Sequence, residues 1–350
     1  MFEIVGTKSL DSNAIEFTET GINFIGRTSE NNGIQGKIQK RNFEPNAPYT
    51  ITATVIGNYK YVKYQKAQYY CSQNINKLTP KNIITCWNEK IAYFFITNIQ
   101  KFVSQYDNQQ SGYKLNDIKN HLICLPIKNK KIDFDFMELL ISELENEGIN
   151  KLSSYLKVNG LNNYELTTEE KETLENYKNI VFKDYNITEI FDIKNTKNIL
   201  SSDVILNSGI TPYLCASCEN NSVSSYINYD KNLIDKGNCI FIGGKTFVVS
   251  YQEKDFYSND SHNLALYLKN YEINKYNQLY LTTCVKKSLS YKYSWGNSVS
   301  GAKIKKDVIS LPTINGKIDM KSMDIFISAI QKLVIKDVVK YTNNKLNLAK

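Results

Sequence analysis

Two stretches of this chain carry residue types that hydrogen-bond to planar, polar ligands. Residues 103–114 read VSQYDNQQSGYK, and residues 290–306 read SYKYSWGNSVSGAKIKK. Gln and Asn present a donor beside an acceptor, the pattern that pairs with an adenine edge, while Lys, Ser and Tyr hold phosphates. KYVKYQKAQYYCSQN from Lys60 and VSYQEKDFYSNDSHN from Val249 have the same character. By this chemistry the candidate nucleic-acid contacts in the first half are Arg27, Lys60, Lys63, Tyr64, Lys66, Gln73, Asn74, Gln105, Asn108, Gln109, Gln110 and Lys114. Those in the second half are Lys245, Tyr251, Gln252, Asn259, His262, Lys287, Tyr291, Lys292, Tyr293, Trp295, Asn297 and Lys303. Tyr-rich loops also suit a protein- or carbohydrate-binding module, and polar surface loops drift in sequence without any ligand.

Enzyme chemistry is harder to assemble. FIGGK (residues 241–245) lacks the G-x-x-x-x-G-K-[ST] spacing of a phosphate loop, and the matching VIGNY lacks its Lys. NAPY (46–49) has one Pro where the N/D-P-P-Y of amino-methyltransferases has two, and no Gly-rich cofactor loop precedes it. The two histidines, His121 and His262, lie outside any nucleophile–base or zinc motif. Glu143, Glu145 and Glu147 read as the solvated face of a helix. Cys215 and Cys218 form a lone C-x-x-C, whereas a structural zinc site wants four ligands, so no metal is expected. A DNA-modifying enzyme would have to be far diverged.

The chain has 350 residues and 42% hydrophobic content, a prior for two folded domains. No apolar run reaches the roughly 18 residues of a membrane span, and MFEIVGTKSLDSN does not read as a signal peptide, so a cytoplasmic protein with seven free thiols is expected. The net charge of +8 suits a polyanionic partner. Part of that Lys excess, together with the wealth of Asn, Ile and Tyr, is what AT-rich coding would produce.

The elements that must position these loops come in two copies. Glu30-Asn31-Asn32 returns as Glu219-Asn220-Asn221, 189 residues later. FEIVGTK (2–8) returns as FDIKNTK (191–197) at the same offset. The stretch from Thr54 returns from Ile240 at 186, that from Ala92 from Leu279 at 187, and LPIKNKKID (125–133) as LPTINGKID (311–319) at 186. Five matches in order, with an offset that drifts by a few residues, are a tandem duplication with units near 1–185 and 186–350. The repeat also sets Gly26 and Ser29 opposite Cys215 and Cys218, a further argument against a metal. Both E-N-N triplets read as turn and scaffold, because Asn favours turns through local side-chain hydrogen bonds.

Each unit opens with strand-like runs: PYTITATVIG, KIAYFFITNI, NCIFIGGKTFVVSY and NQLYLTTCV. Each then turns helical after its Leu-Pro. Met323, Ile327, Ile330, Val334, Val338 and Tyr341 fall at spacings of three and four, and Phe136, Leu140, Leu144, Leu152 and Leu156 do likewise, with Gly148 a weak point. Thr167 and Glu170 have capping-box spacing for a further short helix. A five-residue apolar stripe left in water is unfavourable, since each buried Leu or Ile contributes roughly 1.5–3 kcal/mol. Antiparallel pairing of the two long helices solves this; the alternative is that each helix caps its own unit. The expected layout is therefore 1–131 strand-rich, 132–185 helical, 186–318 strand-rich and 319–350 helical.

Tandem strand-rich units, each closed by a Leu-Pro and followed by a long helix, resemble the specificity (S) subunits of type I restriction–modification systems. INKLSSYLKVNGLNNYELTTEEKETLENY (149–177) is similar to the linker in specificity subunits of BcgI-like type IIB systems, and the opening of the second unit resembles the start of a target recognition domain. The likeness runs over essentially the whole chain. It implies an α+β fold of two tandem strand-rich target recognition domains separated by an antiparallel helical spacer, a pseudo-twofold internal repeat. It further implies that each domain reads one half of a bipartite double-stranded DNA site. The helices, through Phe136, Leu140, Leu144, Leu152, Met323, Ile327, Ile330 and Val334, would dock methyltransferase or endonuclease subunits. Catalysis and S-adenosylmethionine would then belong to those partners, leaving this chain non-catalytic, without a bound cofactor or metal and away from membranes.

Overall fold

The computed structural model describes residues 1–348. It divides into one unit of residues 1–154 with 345 onward, and one of residues 155–344. In the first unit Phe2–Gly6, Ile75–Pro80, Thr50–Thr54 and Val62–Gln65 form an antiparallel sheet in that order. Beside it Ser9–Leu10, Tyr69–Ser72, Ile22–Ile25 and Ile34–Ile38 form a second sheet, in which Ile22–Ile25 runs parallel to Tyr69–Ser72. The second unit repeats this plan. Phe191–Asn195, Leu264–Leu268, Cys239–Ile242 and Val249–Gln252 make the antiparallel sheet. Val223–Ile227, Thr211–Leu214 and Tyr257–Ser258 make the mixed one. The strand Val181–Asn186 pairs along its length with Val308–Ile314 in a further sheet of this unit.

Two runs that read as strands are helices. KIAYFFITNI lies in Glu89–Val103, and NQLYLTTCV lies in Lys275–Leu289. Their β-branched and aromatic content points to strands, but two stronger signals override it. Asn88 caps the first helix by accepting from the Ile91 amide at 3.0 Å, and Asn274 caps the second from Asn277 at 2.9 Å. Ile91, Phe95, Ile99 and Phe102 then fall on one helical face and fill the core of the first unit beneath Ile51, Val62 and Leu78. The second unit buries Leu281, Val285 and Leu289 in the same way, against Ile240, Ile242 and Leu266.

The ladders also adjust the repeat's register. Ala53 pairs with Val62, and Ile242 with Val249, so the connecting hairpin loop has eight residues (54–61) in the first unit and six (243–248) in the second. The strand before the loop is offset by 189 residues and the strand after it by 187, which displaces Thr54 from Ile240.

The long helices run Phe134–Val158 and Met320–Leu348; Ala349 and Lys350, at the end of the expected last helix, lie outside the described residues. The first passes through Gly148 without interruption. Both start alike: Asp133 accepts from the Phe136 amide at 2.9 Å, and Asp319 from Ser322 at 3.0 Å. Met137 and Met323, 186 residues apart, are fully buried in the cores of their own units. Met323 is therefore a core residue rather than a docking one, and Ile327 packs partly against the same core. Phe136, Leu140 and Leu144 are exposed in the first helix and Val334 in the second, while Leu152 and Ile330 are half-buried. Thr167 and Glu170 form the expected capping box of the helix Thr168–Asn176. Among the described residues no helix is long and apolar enough to cross a membrane.

Candidate nucleic-acid interface

The parallel pairing of Ile22–Ile25 with Tyr69–Ser72 sends both strands out at the same end of the first unit, where their loops meet the hairpin loop 54–61 and the loop after helix Glu89–Val103. Val55 N–H donates to the Asn74 carbonyl at 2.9 Å, and Asn108 N–H to the Asn58 carbonyl at 2.7 Å. Gly112 closes the cluster. Its φ is +62°, and a Cβ there would stand 1.9 Å from the Val55 carbonyl oxygen, so only glycine fits. Arg27, Gln73, Asn74, Gln105, Asn108, Gln109 and Gln110 are exposed on these loops, and Lys114 flanks them. Half-buried Lys63 reaches the loop 26–33, donating to the Ser29 carbonyl at 3.3 Å.

The second unit builds the same cluster with different links. Asn259 N–H donates to the Leu214 carbonyl at 3.1 Å, Thr246 Oγ1 to the Ala216 carbonyl at 3.1 Å, and Val299 N–H to the Gly244 carbonyl at 3.0 Å. Gly244 N–H donates to Asn263 Oδ1 at 3.0 Å, and a Cβ on Gly244 would lie 2.2 Å from the His262 carbonyl oxygen. Lys287, exposed in the last turn of helix Lys275–Leu289, lines a cavity with Tyr177, Phe182 and Phe326. Lys245, His262, Tyr291, Lys292, Trp295, Asn297 and Lys303 are exposed at the cluster, with Asn259 half-buried. Asp260 sits among them, 2.9 Å from Lys245 Nζ and 2.7 Å from His262 Nδ1. Partial burial pushes its carboxyl up, but the His262 amide, the Lys245 ammonium and the His262 ring outweigh that and hold it down at about 2.

Five candidates serve the fold instead. Lys60 is 1% exposed, its Nζ donating to the carbonyls of Gly57, at 3.0 Å, and Tyr106. Tyr64 is buried against Trp87 and Tyr93. Buried Tyr251 donates its hydroxyl to Asn238 Oδ1 at 3.0 Å. Buried Gln252 is spent on the Asn221 carbonyl and Ser250, and buried Tyr293 on Asp307. These are corrections to the sequence reading: a single sequence shows a polar residue in a polar run, not that a neighbouring strand closes over it. Lys66 is exposed but leaves the cluster, pairing with Glu89 at the start of its helix at 2.6 Å.

The E-N-N triplets are scaffold, as their types suggest. Asn31 and Asn32 have φ of 43° and 54°, and Asn220 and Asn221 of 45° and 52°. Asn32 Nδ2 donates to the Tyr64 carbonyl at 2.7 Å, and Asn221 Nδ2 to the Tyr251 carbonyl at 2.9 Å. Sequence reasoning missed Asp107 and Asp307. Asp107 Oδ1 accepts from the Lys60 amide at 2.9 Å, and Asp307 receives Lys292 and Tyr293. Neither residue follows a motif that would have marked it.

The seven cysteines are free thiols, and burial pushes Cys71, Cys239 and Cys284 up to about 12. Among the described residues no group of three or more His, Cys, Asp or Glu side chains comes together as metal ligands. The exposed inventory is one of donors, acceptors, aromatic faces and cations, suited to base edges and phosphates.

Comparison with known proteins gives this scaffold a family. A profile of the type I restriction modification DNA specificity domain matches residues 1–154 and again 179–341. The specificity subunit S.BcgI of a type II restriction enzyme from Heyndrickxia coagulans is 24% identical over 345 residues, which cover 96% of this chain and 93% of that protein. The crystal structure of a type I restriction–modification S subunit from M. genitalium superposes with a TM-score of 0.58 at 13% identity, over 99% of this chain and 90% of that one.

Proposed function

Because the chain belongs to the type I restriction modification DNA specificity domain family, we propose that each of its two units reads one half of a two-part duplex DNA site. It is a DNA-binding specificity subunit of a restriction–modification system with two repeated domains. One observation carries the half-site reading. The strand plan and the E-N-N turns clamped beside the loops are repeated, the turns down to single hydrogen bonds, whereas the exposed residues on the loops are not. Where the first unit offers Gln105, Asn108, Gln109 and Gln110, the second offers Tyr291 and Trp295, its Lys292 and Asn297 being tied down within the loop. Two readers of different half-sites need the same frame and different edges.

The chain itself is non-catalytic in this reading. S-adenosylmethionine and the methyl transfer belong to partner methyltransferase subunits, which dock on the long helices through residues left exposed there, Phe136, Leu140 and Leu144 in the first and Val334 in the second. The site of action is the cytoplasm, where the DNA is. The test is methylation-sensitive long-read sequencing of the source genome with and without this gene. Loss of methylation at one motif, two short halves around a fixed gap, supports the reading. A motif without two halves sinks it. Replacing residues 104–112 should then change only one half.

A further inference from the structure

We infer that Lys60 in the first unit and Asp307 in the second are positioning residues, each a buried charge that fixes the reading loop of its own unit and so sets base discrimination at one half-site only. This rests on the half-site reading above and names what enforces it.

Lys60 joins the hairpin loop to the reading loop. Its Nζ bridges the carbonyls of Gly57 and Tyr106, its amide donates to Asp107 Oδ1 at 2.9 Å, and its carbonyl accepts from Gln100 Nε2 at 2.7 Å. Tyr106 and Asp107 lead directly into Asn108, Gln109 and Gln110. In the second unit the corresponding position, 187 residues on in the register of the following strand, is Phe247. Phe247 is buried without a charge, its ring 5.2 Å from that of Tyr293.

Asp307 does the equivalent task from the other side. It is 4% exposed, and its carboxylate receives Lys292 Nζ and the Tyr293 hydroxyl, both at the root of the loop that carries Trp295 and Asn297. Burial and the adjoining Asp307 carboxylate push the Tyr293 phenol up, so it remains a donor. In the first unit the corresponding position, 186 residues earlier on the frame that aligns the two Leu-Pro pairs, is His121, half-buried with its ring 4.4 Å from Phe102.

Each copy of the scaffold therefore folds without the other's buried charge. A buried charge is expensive to desolvate, and apolar packing of similar volume often stabilises as well or better. What each charge holds that the other unit lacks is its own loop. Stability of the shared frame does not call for either.

The experiment is selection of bound sequences from a randomised duplex library by the full chain, comparing wild type with Lys60→Met and Asp307→Asn. Wild type enriches two short elements around a fixed gap. Lys60→Met lowers base discrimination at least ten-fold in one element and leaves the other unchanged; Asp307→Asn does the reverse. Should either variant fail to fold, Lys60→Gln and Tyr293→Phe, which leave most of each network in place, give the same half-selective pattern to a lesser degree. Unchanged discrimination, or equal loss in both elements, overturns the inference while leaving the half-site reading intact. A wild type that enriches no two-part motif overturns the half-site reading and this inference with it.

Discussion

Gln252 donates its side-chain amide to the main-chain carbonyl of Asn221 at 2.8 Å, while the Asn221 amide reaches back to the carbonyl of Tyr251. The pair clamps a turn whose two central residues are both left-handed onto the neighbouring strand. Gln65 and Asn32 repeat the clamp in the first unit, with Gln65 Nε2 3.3 Å from the Asn32 carbonyl.

Asn221→Ala removes a hydrogen bond and puts a Cβ residue without local side-chain compensation into the left-handed region, which costs roughly 1–2 kcal/mol by itself. With the lost bond, about 1 kcal/mol more, the second unit should lose about 2–3 kcal/mol. Asn221→Gly keeps the backbone conformation and should lose about half as much. Denaturant titration of the three proteins checks the ranking; equal stability of the Ala and Gly variants would mean that backbone strain contributes nothing there.

Asp260 gives a pH-dependent prediction. Its carboxyl is held down at about 2, against the ordinary 3.8. A group depressed on folding contributes stability that is fully present above its ordinary value and is lost as pH falls through the folded one. Its contribution, on the order of 1–2 kcal/mol after allowance for solvent screening, is therefore present at pH 7 and lost between about pH 4 and 2. Asp260→Asn should be less stable than wild type at pH 7, and the two should converge as the pH approaches 2. Unfolding curves over that range test it; a constant gap would assign the effect to packing.

Much of this fold was legible because duplication makes one sequence its own comparison. The E-N-N triplets, the paired Leu-Pro segments and the capping box of Thr167 and Glu170 each stood out by type and spacing, and the structure uses them as turns, as the lead into a short hairpin before each long helix, and as a cap. The helices Glu89–Val103 and Lys275–Leu289 did not stand out, because local β-branched content masked a 3.6-residue period that only the core makes decisive. The burial of Lys60 and Tyr293 was illegible for a related reason. Whether a polar side chain faces water or a carbonyl from a segment 46 residues away is decided by tertiary packing.

The pair Glu170–Lys332, 2.8 Å apart and nearly buried, joins the helix Thr168–Asn176 to Met320–Leu348 within the second unit. Burial pushes the Glu170 carboxyl up, but the Lys332 ammonium, the Ser328 hydroxyl and the Thr167 amide bring it below its ordinary value. Lys332→Met leaves a buried carboxylate short of its cation and should cost about 3 kcal/mol. The double variant with Glu170→Gln should recover most of that loss. Thermal unfolding of the single and double variants decides it, since a double variant as unstable as the sum of its parts would mean that the two residues are not coupled.

Trp295 and Lys287 should contribute to DNA binding in distinguishable ways. Trp295 is 76% exposed at the tip of a turn stapled from below: Ser294 and Asn297 exchange main-chain hydrogen bonds of 3.2 and 3.0 Å, and Asn297 Nδ2 donates to the Lys292 carbonyl at 2.8 Å. Lys303 Nζ ties the same side chain down at 3.0 Å. A large aromatic face held out on a rigid turn has little conformational entropy left to lose on stacking against a base. Trp295→Ala should then weaken binding by about 1–3 kcal/mol, roughly 5- to 150-fold, without changing its salt dependence. Lys287, exposed in the last turn of helix Lys275–Leu289, has the opposite signature. If it neutralises one phosphate, Lys287→Ala lowers the magnitude of the log–log salt slope by about 0.9 and weakens all sequences alike. Affinities of the two variants measured from low to high salt separate the contributions, and a Trp295 variant whose salt slope fell as much as that of Lys287 would show that the indole's loss had displaced a cation rather than a stacking surface.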